Sequence, residues 1–147
     1  MEGIMFRKLL LINILILALI LVACGGEDTA APVVDVAPTQ VVSTLPDEVD
    51  VHTVASIKDE DDVYVIDVRE QWEYDEGHIP GVTLIPMSQV PDRPDEIPLD
   101  KEVIVTCRSG NRSGQITDYL RQIGFDNVHN MSGGIVAWEA AGYEVNR

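Results

Sequence analysis

"EVIVTCRSGNRSGQITDYLRQIG", residues 102–124, runs from an apolar stretch through a glycine-punctuated loop into a helical period. The β-branched run Val103 to Thr106 suits a strand covered on both faces. The spacing of Ile116, Tyr119, Leu120 and Ile123 predicts a helix over 112–123, with Gly124 as its C-terminal stop. Cys107 stands where the strand ends, and Arg108, Gly110, Arg112 and Gly114 follow it in a chain of formal net charge −15.

Working outward, the same alternation recurs. "VDVHTV" (49–54), "VYVIDV" (63–68), "VTLIPM" (82–87) and "NVHNM" (127–131) read as further strands, and 53–58, 70–76 and 133–141 as helices. The expected fold is therefore α/β, a central parallel five-stranded sheet flanked by helices. The stretch 87–101, with Pro91, Pro94 and Pro98, reads as a loop beside that sheet. Ligand sites of parallel sheets lie outside the carboxyl ends of the strands, where Cys107 is expected.

A thiol of ordinary pKa is only about 3% ionised at neutral pH, too little for a strong nucleophile. The loop offers a remedy. Cys107 precedes a helix N-terminus, where unpaired N–H groups and the helix dipole favour an anion. Gly110 and Gly114 allow the backbone to curl, so that N–H groups from Arg108 to Ser113 point inward, and Arg108 and Arg112 add positive charge. A drop of about two pKa units would ionise most of the thiol and corresponds to roughly 2.7 kcal/mol.

Three segments carry a family resemblance. "DVREQWEYDEGHIPGV" (67–82), "CRSGNRS" (107–113) and "GGIVAWEAAGYEV" (133–145) resemble, in order and spacing, the signatures of single-domain rhodaneses, which are sulfurtransferases. The resemblance spans 49–147 and implies the rhodanese-like version of the fold. It implies that Cys107 takes sulfane sulfur from a thiosulfate-like donor, holds it as a persulfide and passes it to cyanide, a thiol or a protein acceptor. The loop Arg108, Ser109, Gly110, Asn111, Arg112 and Ser113 would bind substrate and persulfide, by ping-pong covalent catalysis with neither metal nor cofactor. It also places Asp67 and Arg69 near the loop, which an Asp67–arginine contact would support. A second expectation from the same resemblance is a persulfide carrier that docks on one protein partner with little small-molecule turnover. Related phosphatases and arsenate reductases instead separate cysteine from arginine by five residues. Here that position is Ser113, and Arg112 comes one step earlier, a six-residue loop that favours sulfur over phosphate.

Other side chains receive smaller roles. His78 in "GHIPG" is expected to stabilise a turn, and His52 and His129 have no metal-ligand spacing. Trp72 and Trp138 are expected in the core or between helices. Gly133 and Gly134 are expected to open the last helix, with their backbone toward the active-site side.

The N-terminus reads differently. Arg7 and Lys8 precede a fifteen-residue run, Leu9 to Ala23, interrupted only by Asn13. That is a signal-peptide pattern, short of the roughly 20 apolar residues a spanning helix needs. "LVAC" (21–24) followed by Gly25 resembles the lipobox of bacterial lipoproteins, which implies lipidation of Cys24. The expected organisation is a signal peptide over 1–23, the lipidated cysteine and a flexible tether over 24–48, and the folded domain over 49–147. The tether would reach on the order of 70 Å extended, or about 25–30 Å as a coil. The expected location is extracytoplasmic, anchored to the bacterial cell membrane, since two acyl chains suffice for stable attachment. Without residues 1–23 the chain keeps 24 acidic and 8 basic side chains, about −16, which disfavours nucleic acid as a partner. The expected state is a monomer. With only two cysteines in the chain, a lipidated Cys24 leaves Cys107 without a disulfide partner.

Overall fold

The computed structural model describes residues 43–147. The signal-peptide pattern, Cys24 and most of the tether lie outside the described residues. Five parallel strands form one sheet: β1 (Glu48–Val49), β2 (Val63–Asp67), β3 (Thr83–Leu84), β4 (Glu102–Thr106) and β5 (Val128–Met131), in the order β1-β5-β4-β2-β3. Among the described residues three helices connect strands, α1 (Val51–Ile57), α2 (Gln71–Glu76) and α3 (Asn111–Gln122), and α4 (Gly134–Ala140) follows β5. Two short 3-10 turns, Val90–Asp92 and Pro94–Glu96, occupy the proline-rich segment.

Strand alternation divides the core. Val103, Val105 and Cys107 face one layer with Ile66, Val68, Ile116 and Leu120, which is the α3 side. Ile104 faces the other with Val54, Ile135 and Trp138, the α1 and α4 side. Both faces of the central strands are covered, as the continuous apolar runs require. Asp67 pairs in register with Thr106, so the ends of β2 and β4 lie side by side one residue before Cys107.

Several expectations are corrected. "VDVHTV" is not a strand: pairing stops at Val49, and Asp50 caps α1 by accepting from His52 N at 2.8 Å and Thr53 N at 3.1 Å. Two of the β-branched residues of that run, Val51 and Val54, are one helical turn apart, and both are buried. Trp72 is 62% exposed rather than in the core, whereas Trp138 is buried with its indole N–H donating to the Glu144 carbonyl. Ile123 lies beyond α3 and is exposed.

Chain segments ahead of residue 49 already engage the sheet. The Ser43 hydroxyl and Thr44 N–H donate to the Glu102 carboxylate at 2.9 and 3.0 Å. Buried His129 bridges Glu102 and the Pro46 carbonyl at 2.9 and 2.8 Å, which fastens the segment ahead of β1 to β4 and β5. His78 pairs with Asn146 in an isolated bridge and stacks on Tyr74 at 3.8 Å, consistent with turn stabilisation.

Candidate active site

β4 delivers Cys107 to the carboxyl end of the sheet, and the chain turns through Arg108, Ser109 and Gly110 into α3. Gly110 makes the turn possible: its φ of +92° is open to glycine, and a Cβ there would lie 3.0 Å from the Gly133 nitrogen. The Cys107 side chain is only 1% exposed. Its sulfur accepts from Gly110 N–H at 3.2 Å and from the Ser113 hydroxyl at 3.3 Å. Burial pushes the thiol up. Hydrogen bonds from the Ser113 hydroxyl and from the N–H groups of Ser113, Ser109 and Gly110 outweigh that and hold it below its ordinary value.

The start of α4 orients the first two peptides of the loop. Ile135 N–H donates to the Cys107 carbonyl at 2.9 Å and Val136 N–H to the Arg108 carbonyl at 3.1 Å. In a planar trans peptide the N–H points opposite to the C=O. Anchoring those two carbonyls on α4 therefore turns the N–H groups of Arg108 and Ser109 toward the inside of the loop. Gly134 permits the contact, because a Cβ there would stand 2.4 Å from the Cys107 oxygen. The expected approach of the Gly133–Gly134 backbone is what holds the loop's shape.

The remaining loop residues divide. Arg112 does not present a free charge to the sulfur: its guanidinium forks onto Glu73, with both N–O distances 2.7 Å. This pairing holds the Glu73 carboxyl down to about 2, and Glu73 and Cys107 both raise Arg112. Asn111 faces outward and accepts from Gln115 at 3.0 Å. Arg108 is exposed, with no side-chain hydrogen bond or ion pair to any described residue. Gly114 lies inside α3, where a Cβ would approach Asn130 Nδ2 to 3.3 Å.

Asp67 and Arg69 do meet, in a buried pair at 2.7 Å, but their partner is not the loop. Arg69 also donates to the carbonyls of Glu73 at 3.2 Å and Gly77 at 2.9 Å, so the pair ties down the last turn and C-cap of α2. The clamp positions Glu73, and Glu73 reaches the loop through Arg112. Neither Glu73 nor Asn130, whose amide donates to the Gly110 carbonyl at 3.0 Å, is visible as a loop partner in the sequence, because each lies 20 or more residues from its contact.

Ser113→Ala tests how the thiol is tuned. A hydrogen bond to a charged group is worth about 1.5–3 kcal/mol, and roughly one pKa unit is its smallest expected effect. The pH midpoint of Cys107 alkylation by iodoacetamide is expected to rise by about that much. An unchanged midpoint would assign the lowering to the amides alone.

Residues 50–141 match the rhodanese-like domain family. A sulfurtransferase of Allochromatium vinosum is 42% identical over 89 residues, 60% of this chain and 83% of that one. The thiosulfate sulfurtransferase GlpE of Pseudoalteromonas translucida is 36% identical over 83 residues, 56% of this chain and 79% of its own. The crystal structure of a rhodanese-related protein from Thermoplasma volcanium superposes with a TM-score of 0.63 at 30% identity, covering 69% of this chain and 98% of that one. Sheet order, loop and sequence agree, and the chain belongs to the rhodanese-like domain family, whose general chemistry is sulfur transfer.

Proposed function

We propose that the protein moves sulfane sulfur through a persulfide on Cys107. The observation that carries this reading is a recessed thiol whose ionised form is stabilised by the Ser113 hydroxyl and a ring of amides. The Cys107 thiolate attacks the outer sulfur of thiosulfate. The S–S bond of thiosulfate breaks, its electron pair leaves with sulfite, and Cys107 carries a persulfide anion. The amides that held the thiolate are placed to hold the added sulfur's charge, which is electrostatic stabilisation without reorganisation. In the second half-reaction a thiophilic acceptor such as cyanide attacks the outer sulfur. The electron pair of the Cys–S bond to that sulfur returns to Cys107, and thiocyanate leaves. The order is ping-pong because one sulfur atom waits on the protein between partners.

The similarity to proteins named sulfurtransferase and thiosulfate sulfurtransferase supports this assignment. Intact mass spectrometry after incubation with thiosulfate tests it: a gain of about 32 Da located on Cys107, one sulfur atom, is expected of a covalent sulfur intermediate. Unchanged mass, with the thiol still free, sinks the reading. The proposed setting is outside the cytoplasmic membrane, with Cys24 lipidated, and is supported by the 21–24 pattern. Metabolic labelling of the full chain with radioactive palmitate, lost in Cys24→Ala, is expected, because the acyl chains would be carried on that cysteine. Absence of label in the wild type would remove the anchor.

A further inference from the structure

Gly110 joins two peptides of the loop, and the thiol accounts for only one of them. Its N–H donates to the Cys107 sulfur at 3.2 Å. Its carbonyl belongs to the next peptide, whose N–H is that of Asn111, and this N–H has no acceptor among the described residues. Glycine at φ +92° is a soft swivel, so the tilt of the second peptide has to be set from outside the loop.

Asn130 sets it. From β5 its Nδ2 donates to the Gly110 carbonyl at 3.0 Å, beside the helical bond from Gly114 N–H to the same oxygen at 3.0 Å. In a trans peptide the N–H and C=O point in opposite directions. A carbonyl drawn toward Asn130 and the body of α3 therefore turns the Asn111 N–H out of the helix end, toward the loop interior. The same Nδ2 meets both Glu48 carboxylate oxygens, at 3.0 and 3.1 Å, directly across the β1–β5 pairing. All three oxygens are acceptors, so the amide cannot flip. Glu48 is held in turn by the Ser132 hydroxyl at 2.6 Å.

The other end of the Asn130 side chain is not satisfied. The residue is 6% exposed, and its Oδ1 is buried with no hydrogen-bond partner among the described residues. A buried unpaired carbonyl destabilises a fold, and an apolar side chain of similar size would avoid that penalty. Packing gives no reason for an asparagine here, whereas the contacts of Nδ2 do.

Resting on the sulfur-transfer reading, we infer that Asn130, fixed by Glu48, is a positioning residue that aims the Asn111 N–H at the negatively charged outer sulfur of the donor and then of the persulfide. The N–H groups of Ser109, Gly110 and Ser113 serve the Cys107 sulfur itself, and they belong to other peptides, which Asn130 does not touch. Glu48 stands ahead of residue 50, where the family match begins, so the brace comes from the segment leading into the domain.

The test uses the full chain. In Asn130→Ala, formation of the Cys107 persulfide from thiosulfate is expected to slow about tenfold or more, the effect of one lost charge-assisted hydrogen bond. The pH midpoint of iodoacetamide alkylation and its rate on the thiolate should stay as in wild type, because that reagent is neutral and brings no outer sulfur. A loop that had merely loosened would raise the midpoint as well. The same loss is expected in Asn130→Leu, which keeps the volume and so does not confound rate with unfolding. Glu48 is exposed and gives a second route. Glu48→Ala is expected to slow the step by a smaller factor and to have no further effect in the Asn130→Ala background. Glu48→Gln, whose side-chain oxygen still accepts, is expected to keep the wild-type rate. If only the charge of Glu48 mattered, both variants would instead react faster with an anionic donor. An unchanged rate in Asn130→Ala, a midpoint that rises in step with the lost rate, or a Glu48→Ala effect that adds to that of Asn130→Ala overturns the inference. If the wild type gains no sulfur, the sulfur-transfer reading falls instead. Protection of Cys107 from iodoacetamide by sulfate, the oxygen counterpart of thiosulfate, then reads the amide alone. The half-protecting concentration is expected to be about tenfold higher in Asn130→Ala, and an equal one overturns the inference.

Discussion

Cys107→Ser is expected to lose sulfur transfer from thiosulfate by a factor on the order of 10⁴ or more, because the loop then holds a neutral hydroxyl where an anionic nucleophile is required. The fold should survive. Serine is smaller than cysteine by a fraction of a methylene, keeps hydrogen-bonding capacity toward Gly110 N–H and the Ser113 hydroxyl, and removes no apolar contact comparable with a leucine truncation. Thermal unfolding within a few degrees of wild type, together with absent turnover and absent mass gain, is the expected combination. Retained turnover would move the chemistry elsewhere, since the sequence has no other cysteine but Cys24. In the wild type the first half-reaction should stay level at alkaline pH and fall as pH drops through the thiol's lowered pKa, since protonation removes the nucleophile. Cys107→Ala also checks the phosphatase alternative: hydrolysis of an aryl phosphate that disappears in this variant would contradict the six-residue loop argument.

What the sequence made legible follows sequence distance. β2 and β4 were readable as continuous β-branched runs, and α3, observed at Asn111–Gln122, lies one residue from its expected span. These are local signals. The β-branched residues at 49, 51, 53 and 54 read as a strand until Asp50, a cap, is given its due. The thiol-lowering loop was expected, but its electrostatics were assigned too heavily to arginine charge. Glu73 lies 39 residues from Arg112, and that pairing is a property of the fold. Hydrogen bonds from amides and one hydroxyl do most of the lowering, so rigid backbone geometry matters more here than net charge. Trp72 is expected in the core or between helices, yet the helix it occupies is six residues long and held by Arg69 with its tryptophan outward.

That dependence on backbone geometry makes Gly134→Ala the sharpest structural test. Two costs are expected. At φ +56° an alanine costs on the order of 1–2 kcal/mol, and its Cβ would lie 2.4 Å from the Cys107 oxygen and 2.6 Å from the Arg108 carbonyl carbon. Those neighbours are backbone, so relief requires the loop or the start of α4 to move. Movement breaks the Ile135 and Val136 hydrogen bonds to Cys107 and Arg108, and the Arg108 and Ser109 amides lose their aim. Total destabilisation of about 3–4 kcal/mol is expected, a fall in Tm on the order of 15 °C or more for a domain near 100 residues. In the fraction that remains folded, sulfur transfer should drop at least about 100-fold and the Cys107 alkylation midpoint should rise, as the charged sulfur loses donors worth a few kcal/mol. Gly142→Ala separates strain from displacement. Gly142 has φ +82° but no atom within 4 Å of its added Cβ, so that variant should show the backbone cost alone, with turnover and thiol midpoint unchanged. If Gly134→Ala behaved like Gly142→Ala, the α4 amides would not be what aims the loop, and the thiolate's stabilisation would have to be assigned to Ser113 and Gly110 without them.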